Sequence, residues 1–142
     1  MTTPLLDPCH CFALRRAARA VSREYAEIMG ETGLKHTQFS LLAILAEGGQ
    51  HSISDLADIV GLERTSLSRT LRPLQNEGLV DVASEGYRRK REVSITAVGK
   101  ARFEAGLPLW RKAQARFAEK MGTENIQSLR SLLAMSGEQT GA

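Results

Sequence analysis

The chain has 142 residues, of which 42% are hydrophobic and 25% are charged; this is one domain's length, and the composition excludes a disordered or collagen-like chain. No apolar run approaches the roughly 20 residues of a membrane span, and the N-terminus does not read as a signal peptide, so we expect a cytoplasmic protein without membrane contact. The net charge is +3, and residues 63–91 carry all of the excess. Basic charge concentrated in one segment indicates contact with a polyanion, although a solvated face would look the same.

The first predicted helix begins at Asp7-Pro8, with Asp7 as N-cap and Pro8 in the first turn, and ends at Gly30 and Gly33. A second helix runs from about Thr37 to Ala46, before the Gly48-Gly49 break. The first helix carries an apolar stripe at steps of three and four residues, made of Cys11, Leu14, Ala18, Val21, Tyr25 and Ile28.

A helix-turn-helix is predicted from Ser54 to Leu71. Ser52 and Asp55 form a capping box that starts a short third helix, and Gly61 suits the left-handed turn that closes it. The fourth helix, 63–77, contains Pro73, which should bend it. Its outward residues are suited to contact bases and phosphates: Arg64, Thr65, Ser66, Ser68, Arg69 and Arg72. The plainer interpretation is an amphipathic pair in a helical bundle.

A small β-hairpin follows, with Val80 and Val82 in one strand and Val93 and Ile95 in the other. Its long basic connection would act as a wing against DNA, through Arg88, Arg89 and Arg91. Thr96 then caps a long helix, and Thr123 starts the last one. The fold class is therefore mainly α with a small β-hairpin wing: a winged helix-turn-helix with six helices.

These segments resemble the MarR (multiple-antibiotic-resistance regulator) family of winged-helix transcription factors. The resemblance rests on Thr37-Gln38-Phe39, on Leu56-Ala57 with Gly61, on residues 64–69 and 74–80, and on the wing from Arg88 to Gly99. Tyr87 stands where the family usually has an Asp that holds the arginine matching Arg89, and Glu85 is the nearest substitute.

The resemblance implies one domain over 1–142, with a winged helix-turn-helix lobe at 37–96 and a helical dimerisation region at 8–30 and 97–136. The sequence independently favours a homodimer through the N- and C-terminal helices, because their apolar stripes exceed what the small lobe can cover. Two recognition helices related by a twofold axis would read a pseudo-palindromic operator in double-stranded DNA.

A thiol switch is a further hypothesis. Cys9 and Cys11 lie in the predicted first turn, where the helix dipole favours a thiolate, and Arg15 adds positive charge one turn on. The segment from Cys11 is similar to the organic-hydroperoxide-sensing subgroup, whose cysteine is held by two tyrosines; Tyr25 matches the first place, and His36 occupies the second. Plain packing is the commoner role for such residues. The Cys-His-Cys run makes a poor zinc site, so we expect no metal and no cofactor.

The sequence contains no glycine-rich nucleotide loop, nucleophile elbow or HExxH motif, so we expect no enzyme. We expect a sequence-specific transcriptional repressor that is released by an oxidant or a small-molecule effector. The alternative is an architectural or interaction-only winged-helix protein that has no effector.

Overall fold

The computed structural model describes residues 4–83 and 91–138. Within these ranges the chain forms six α-helices, a 3-10 turn and three short strands. The helices are α1 (His10–Met29), α2 (His36–Ala46), α3 (Ile53–Val60), α4 (Arg64–Asn76), α5 (Ala97–Met121) and α6 (Thr123–Gly137). The strands are β1 (His51–Ser52), β2 (Val80–Val82) and β3 (Glu92–Ile95), and the 3-10 turn is Gly30–Thr32. No helix in these ranges is both long and apolar enough to cross a membrane. The predicted mainly α fold with a small β wing is confirmed.

The start of α1 differs from the prediction. The helix begins at His10 with Cys9 as its N-cap, and not at Asp7-Pro8. The backbone N–H of Cys9 donates to the carbonyl of Leu6 at 3.0 Å, which keeps the preceding residues in a turn. The thiol Sγ of Cys9 accepts the N–H of Phe12 at 3.4 Å, so a sulfur serves the role expected of the Asp7 carboxylate.

Short-range signals set the helix-turn-helix as predicted. Ser52 Oγ accepts the N–H of Asp55 at 3.1 Å, and Asp55 Oδ2 accepts the N–H of Ser52 at 2.9 Å, which completes the capping box. Gly61 ends α3 in the left-handed region at φ 72°. Leu62 then donates its N–H to the carbonyl of Ala57 at 2.9 Å, so the turn into α4 is held at both ends.

The sheet has one strand more than the predicted hairpin. Its order is β1-β3-β2, and β3 is antiparallel to both neighbours. β1 is only two residues long, with His51 opposite Val93, and so offers no alternating pattern to detect. Because β3 is paired on both sides, the base of the wing is fixed to the segment that leads into α3.

Most of the buried core lies in the winged-helix lobe, the range 37–96. Leu41, Leu42, Leu56, Leu67 and Leu74 are all fully buried there. The terminal helices contribute little: α6 has no buried residue, and Met29 is the one buried residue of α1. Large apolar side chains of α6 stay open to solvent, as Leu132 is 59% exposed and Met135 is 66% exposed.

The start of α5 is bound tightly to the end of α4. Thr96 Oγ1 caps α5 by accepting the N–H of Gly99 at 3.0 Å and donates to the carbonyl of Gly78 at 2.6 Å. The N–H of Thr96 donates to the carbonyl oxygen of Leu79 at 3.0 Å. A Cβ on Gly99 would lie 2.0 Å from that same oxygen, so only glycine permits this approach.

Candidate nucleic-acid interface

Helix α4 has one buried and one exposed face. Leu67, Leu71 and Leu74 are at most 2% exposed and pack into the core. Thr65, Ser68, Arg69 and Arg72 are exposed and follow the i, i+3, i+4, i+7 spacing of one helix face. Arg64 is also exposed, whereas Ser66 is half-buried. The core contact therefore turns almost the whole predicted DNA-reading set towards solvent.

The exposed face of α4 carries positive charge without compensation from its own helix. Arg64, Arg69 and Arg72 are its charged residues, and α4 contains no Asp or Glu. The short Thr65 and Ser68 hydroxyls lie between the arginines, so the backbone can approach a partner closely. Guanidinium groups pair bidentately with guanine edges or phosphates, and hydroxyls reach both bases and phosphates. This face has the size and chemistry of a recognition helix.

The base of the wing supplies one further exposed arginine. Arg91 precedes β3, and its backbone carbonyl accepts the N–H of Ile53 at 3.1 Å, so the position of its backbone is fixed relative to α3. Arg88 and Arg89, the other two arginines predicted to contact DNA from the wing, lie outside the described residues. Of the arginines predicted to contact DNA, the described residues therefore include Arg64, Arg69, Arg72 and Arg91, all of them exposed.

The two thiols occupy different settings at the start of α1. Cys9 is partly buried and receives the N–H of Phe12, while Cys11 is exposed in the first turn. Arg15, one turn further on, is exposed as well. Among the described residues, no three His, Cys, Asp or Glu side chains lie together as metal ligands would.

Tyr25 and His36 are not brought to Cys11 within one chain. Fourteen residues of α-helix separate Cys11 from Tyr25, which is about 21 Å along the axis. The Tyr25 hydroxyl donates instead to Gln114 Oε1 of α5. Burial raises the pKa of Tyr25 above its usual value, and the positive charge of Arg130 offsets part of that rise. His36 Nε2 lies 3.3 Å from Ser22 Oγ. Nothing in the sequence pointed to Gln114, because its partner is 89 residues away.

An apolar groove runs between α1, α5 and α6, with a volume of about 670 Å³. We call it the terminal groove. The Lys120–Glu24 ion pair, at 2.5 Å, links α5 to α1 beside it, and Ser22 and His36 line its polar edge. The apolar side chains that define the groove are Leu14, Val21, Phe117, Met121, Leu129 and Leu133.

The chain is similar to known regulators in both sequence and structure. A family model described as the MarR family matches residues 32–90. The M. tuberculosis transcriptional regulator MosR is 35% identical, with 93% of this chain and 95% of that chain covered and a TM-score of 0.80. MosR in complex with DNA is 32% identical over 92% of this chain and 99% of that chain, with a TM-score of 0.74.

A probable transcriptional regulator from Pseudomonas aeruginosa is 27% identical, with coverage of 92% and 98% and a TM-score of 0.80. No curated protein gave a significant match. The similarity to MosR extends over nearly the whole length of both chains. The chain belongs to the MarR family and is a DNA-binding transcriptional regulator.

Proposed function

We propose that the protein is a transcriptional repressor that binds a pseudo-palindromic operator as a homodimer, with α4 in the major groove and the wing on the DNA backbone. The observation that carries the proposal is the exposed face of α4, which bears three arginines and no acidic residue. The DNA complex of MosR, which is 32% identical, supports the same use of this lobe. Because its operator would lie in chromosomal DNA, we propose that the protein acts in the cytoplasm.

The bases are read by α4, whereas the wing fixes position. Arg69 and Arg72 lie on the exposed face of α4, opposite the buried leucines, and would reach base edges when the helix enters the groove. Arg91 immediately precedes β3 at the base of the wing and would meet phosphates. We extend the same assignment to the neighbouring Arg88 and Arg89 of the wing connection.

The second copy of the chain is the partner that the terminal groove fits. α6 has no buried residue, and Leu132, Leu133 and Met135 are between 46% and 66% exposed. The first half of the apolar stripe of α1 is likewise open to solvent, with Leu14 46% exposed. Burial of these surfaces against their own twofold copies removes them from water and sets two α4 helices for successive major grooves.

An effector that changes the packing of the terminal helices would change the separation of the two α4 helices and release the DNA. An oxidant is the first candidate, because Cys11 is exposed at the start of α1. Its thiolate would attack the O–O bond of an organic hydroperoxide, giving the sulfenic acid and an alcohol. Condensation with a small thiol or with a thiol of the partner subunit would then give a disulfide and water.

The experiment is selection of binding sites from a random duplex library, followed by fluorescence anisotropy on the selected sequence. We expect two inverted half-sites with centres about 10 bp apart, or a multiple of that distance. Binding without sequence preference would instead indicate an architectural protein and would contradict the proposal. Treatment of the bound complex with an organic hydroperoxide, in parallel with a reduced control, tests the oxidant as effector.

A further inference from the structure

We propose that Arg102 is a positioning residue for operator recognition: it fixes the end of the recognition helix α4 against the junction of α1 and α2, and thereby sets the half-site spacing that the dimer accepts. Nothing in the sequence motifs singled out this residue. The inference rests on the proposed function, since it concerns how α4 is held rather than what α4 touches.

Arg102 lies in the second turn of α5 and reaches two other elements. Its Nε donates to the carbonyl of Thr32, in the 3-10 turn after α1, at 2.8 Å. Its Nη1 lies 4.0 Å from Glu77 Oε1, and Glu77 is the C-cap of α4. One side chain thus links the dimerisation helix α1, the long helix α5 and the end of the recognition helix.

The turn that receives Arg102 is built to hold it. Thr32 Oγ1 donates to the carbonyl of Met29 at 2.6 Å and accepts the N–H of Leu34 at 3.0 Å, which fixes the carbonyl that Arg102 uses. Gly33 follows in the left-handed region at φ 70°, and a Cβ there would lie 2.7 Å from Nη2 of Arg102. The guanidinium therefore occupies space that a side chain at position 33 would take.

The charge of Arg102 also suits its surroundings. The ends of α1 with its 3-10 turn and of α4 both carry the partial negative charge of unpaired carbonyls, which favours a cation between them. The side chains of Arg102 and Glu77 are 33% and 49% exposed, so their ion pair adds little stability in water. The hydrogen bond to Thr32 fixes the guanidinium, and this places Nη1 4.0 Å from Glu77 Oε1 at the end of α4, so the effect expected of the pair is on the orientation of α4 rather than on stability.

Small changes at this point are amplified along α4. The helix is about 18 Å long, so a rotation of about 5° at the Glu77 end displaces the Arg64 end by about 1.6 Å. Hydrogen bonds to base edges tolerate only a few tenths of an ångström. In a twofold dimer the displacement occurs at both half-sites in opposite directions, so its first effect is on the accepted spacing between them.

The test compares Arg102→Gln with Arg111→Gln, since Arg111 is an exposed arginine of α5 whose side chain makes no hydrogen bond or ion pair within the described ranges. Anisotropy is measured on the selected operator and on versions whose half-site spacing is lengthened or shortened one base pair at a time. We expect Arg102→Gln to lose about tenfold in affinity for the best operator and to prefer a different or broader range of spacings. The affinity of Arg102→Gln for non-specific DNA and its salt slope should stay unchanged. Arg111→Gln should match the unmodified protein in every readout.

An unchanged spacing profile in Arg102→Gln would overturn the proposal, as would an equal loss on specific and non-specific DNA, which would mark Arg102 as a phosphate contact. If Arg102→Gln proves less stable to heat, Glu77→Gln tests the same coupling, because it removes the ion pair but keeps the hydrogen bond between Arg102 and Thr32. Glu77→Gln should shift the spacing profile in the same direction as Arg102→Gln, but by a smaller amount. Failure of the unmodified protein to select half-sites would contradict the proposed function instead.

Discussion

Replacement of Arg91 by alanine tests which arginines contact phosphates and fix the position of the protein on DNA, and which ones read the base sequence. The side chain is exposed, and the contact that fixes this residue to α3 uses its backbone carbonyl, which Arg91→Ala retains. The fold should therefore stay intact while one positive charge per protomer is lost. The matched substitution is Arg69→Ala, which removes the same group from the exposed face of α4.

The expected size follows from the number of phosphate contacts that are lost. Arg91 is the described arginine assigned to phosphates, so Arg91→Ala removes two such contacts per dimer and should make the slope of log affinity against log salt about 1.8 less negative. A fourfold rise in salt should then weaken binding of the variant about 12-fold less than binding of the unmodified protein.

Anisotropy titrations on operator and scrambled DNA at several salt concentrations measure both quantities. Arg91→Ala should weaken the two duplexes alike, whereas Arg69→Ala should cost about 1–3 kcal/mol on the operator alone and relax its sequence preference. Arg111→Ala serves as the control for loss of an arginine elsewhere. A salt slope that stays the same in Arg91→Ala, or an equal loss on both duplexes in Arg69→Ala, would refute this division of roles.

Three further predictions concern the dimer, the thiol and the fold. Leu129→Glu places a carboxylate in the terminal groove and should give a monomer by sedimentation and no operator binding by anisotropy. Ser128→Glu, outside the groove lining, is the control and should remain a dimer that binds the operator. If Leu129→Glu stays a folded dimer, the interface lies elsewhere. Organic hydroperoxide should lower operator affinity unless Cys11 is replaced by serine, and an unmodified Cys11 by mass spectrometry together with unchanged binding would leave the thiol a packing role. Gly99→Ala should lower the free energy of unfolding in urea by about 1–3 kcal/mol, since its Cβ would lie 2.0 Å from the Leu79 carbonyl oxygen. Gly137→Ala is the control, because a Cβ there meets nothing within 4 Å. Equal stability of the two variants would contradict the steric argument.

Local signals in the sequence predicted the helix-turn-helix closely. The capping box at Ser52, the left-handed Gly61 and the cap at Thr96 each act over a few residues, so the sequence alone determines them. The predicted start of α1 was wrong because several neighbouring residues can act as the N-cap, and the sequence does not show which of them does. β1 was missed because two residues carry no periodicity, and its pairing depends on β3, 40 positions away.

The site divides in the same way. The exposed face of α4 follows from helical spacing, because buried leucines on one side determine what lies on the other. The contacts of Arg102 with Thr32 and of Tyr25 with Gln114 span 70 and 89 residues and arise from the packing of α5 against α1. Their members look like ordinary surface residues in the sequence. The grouping of Tyr25 and His36 with Cys11 rested on similarity to a subgroup, and within one chain both residues have other neighbours.

The absence of buried residues along α6 links folding to protein concentration. An isolated 15-residue helix is marginal in water, and within its own chain α6 has half-buried positions, such as Ile126 and Leu129, but no buried one. We therefore expect part of its helical stability to come from burial against the second protomer, so that dilution below the dimer dissociation constant lowers the helix content as well as the fraction of dimer. The C-terminal helix then behaves as a segment that folds on assembly, and the apparent stability of the protein rises with its abundance.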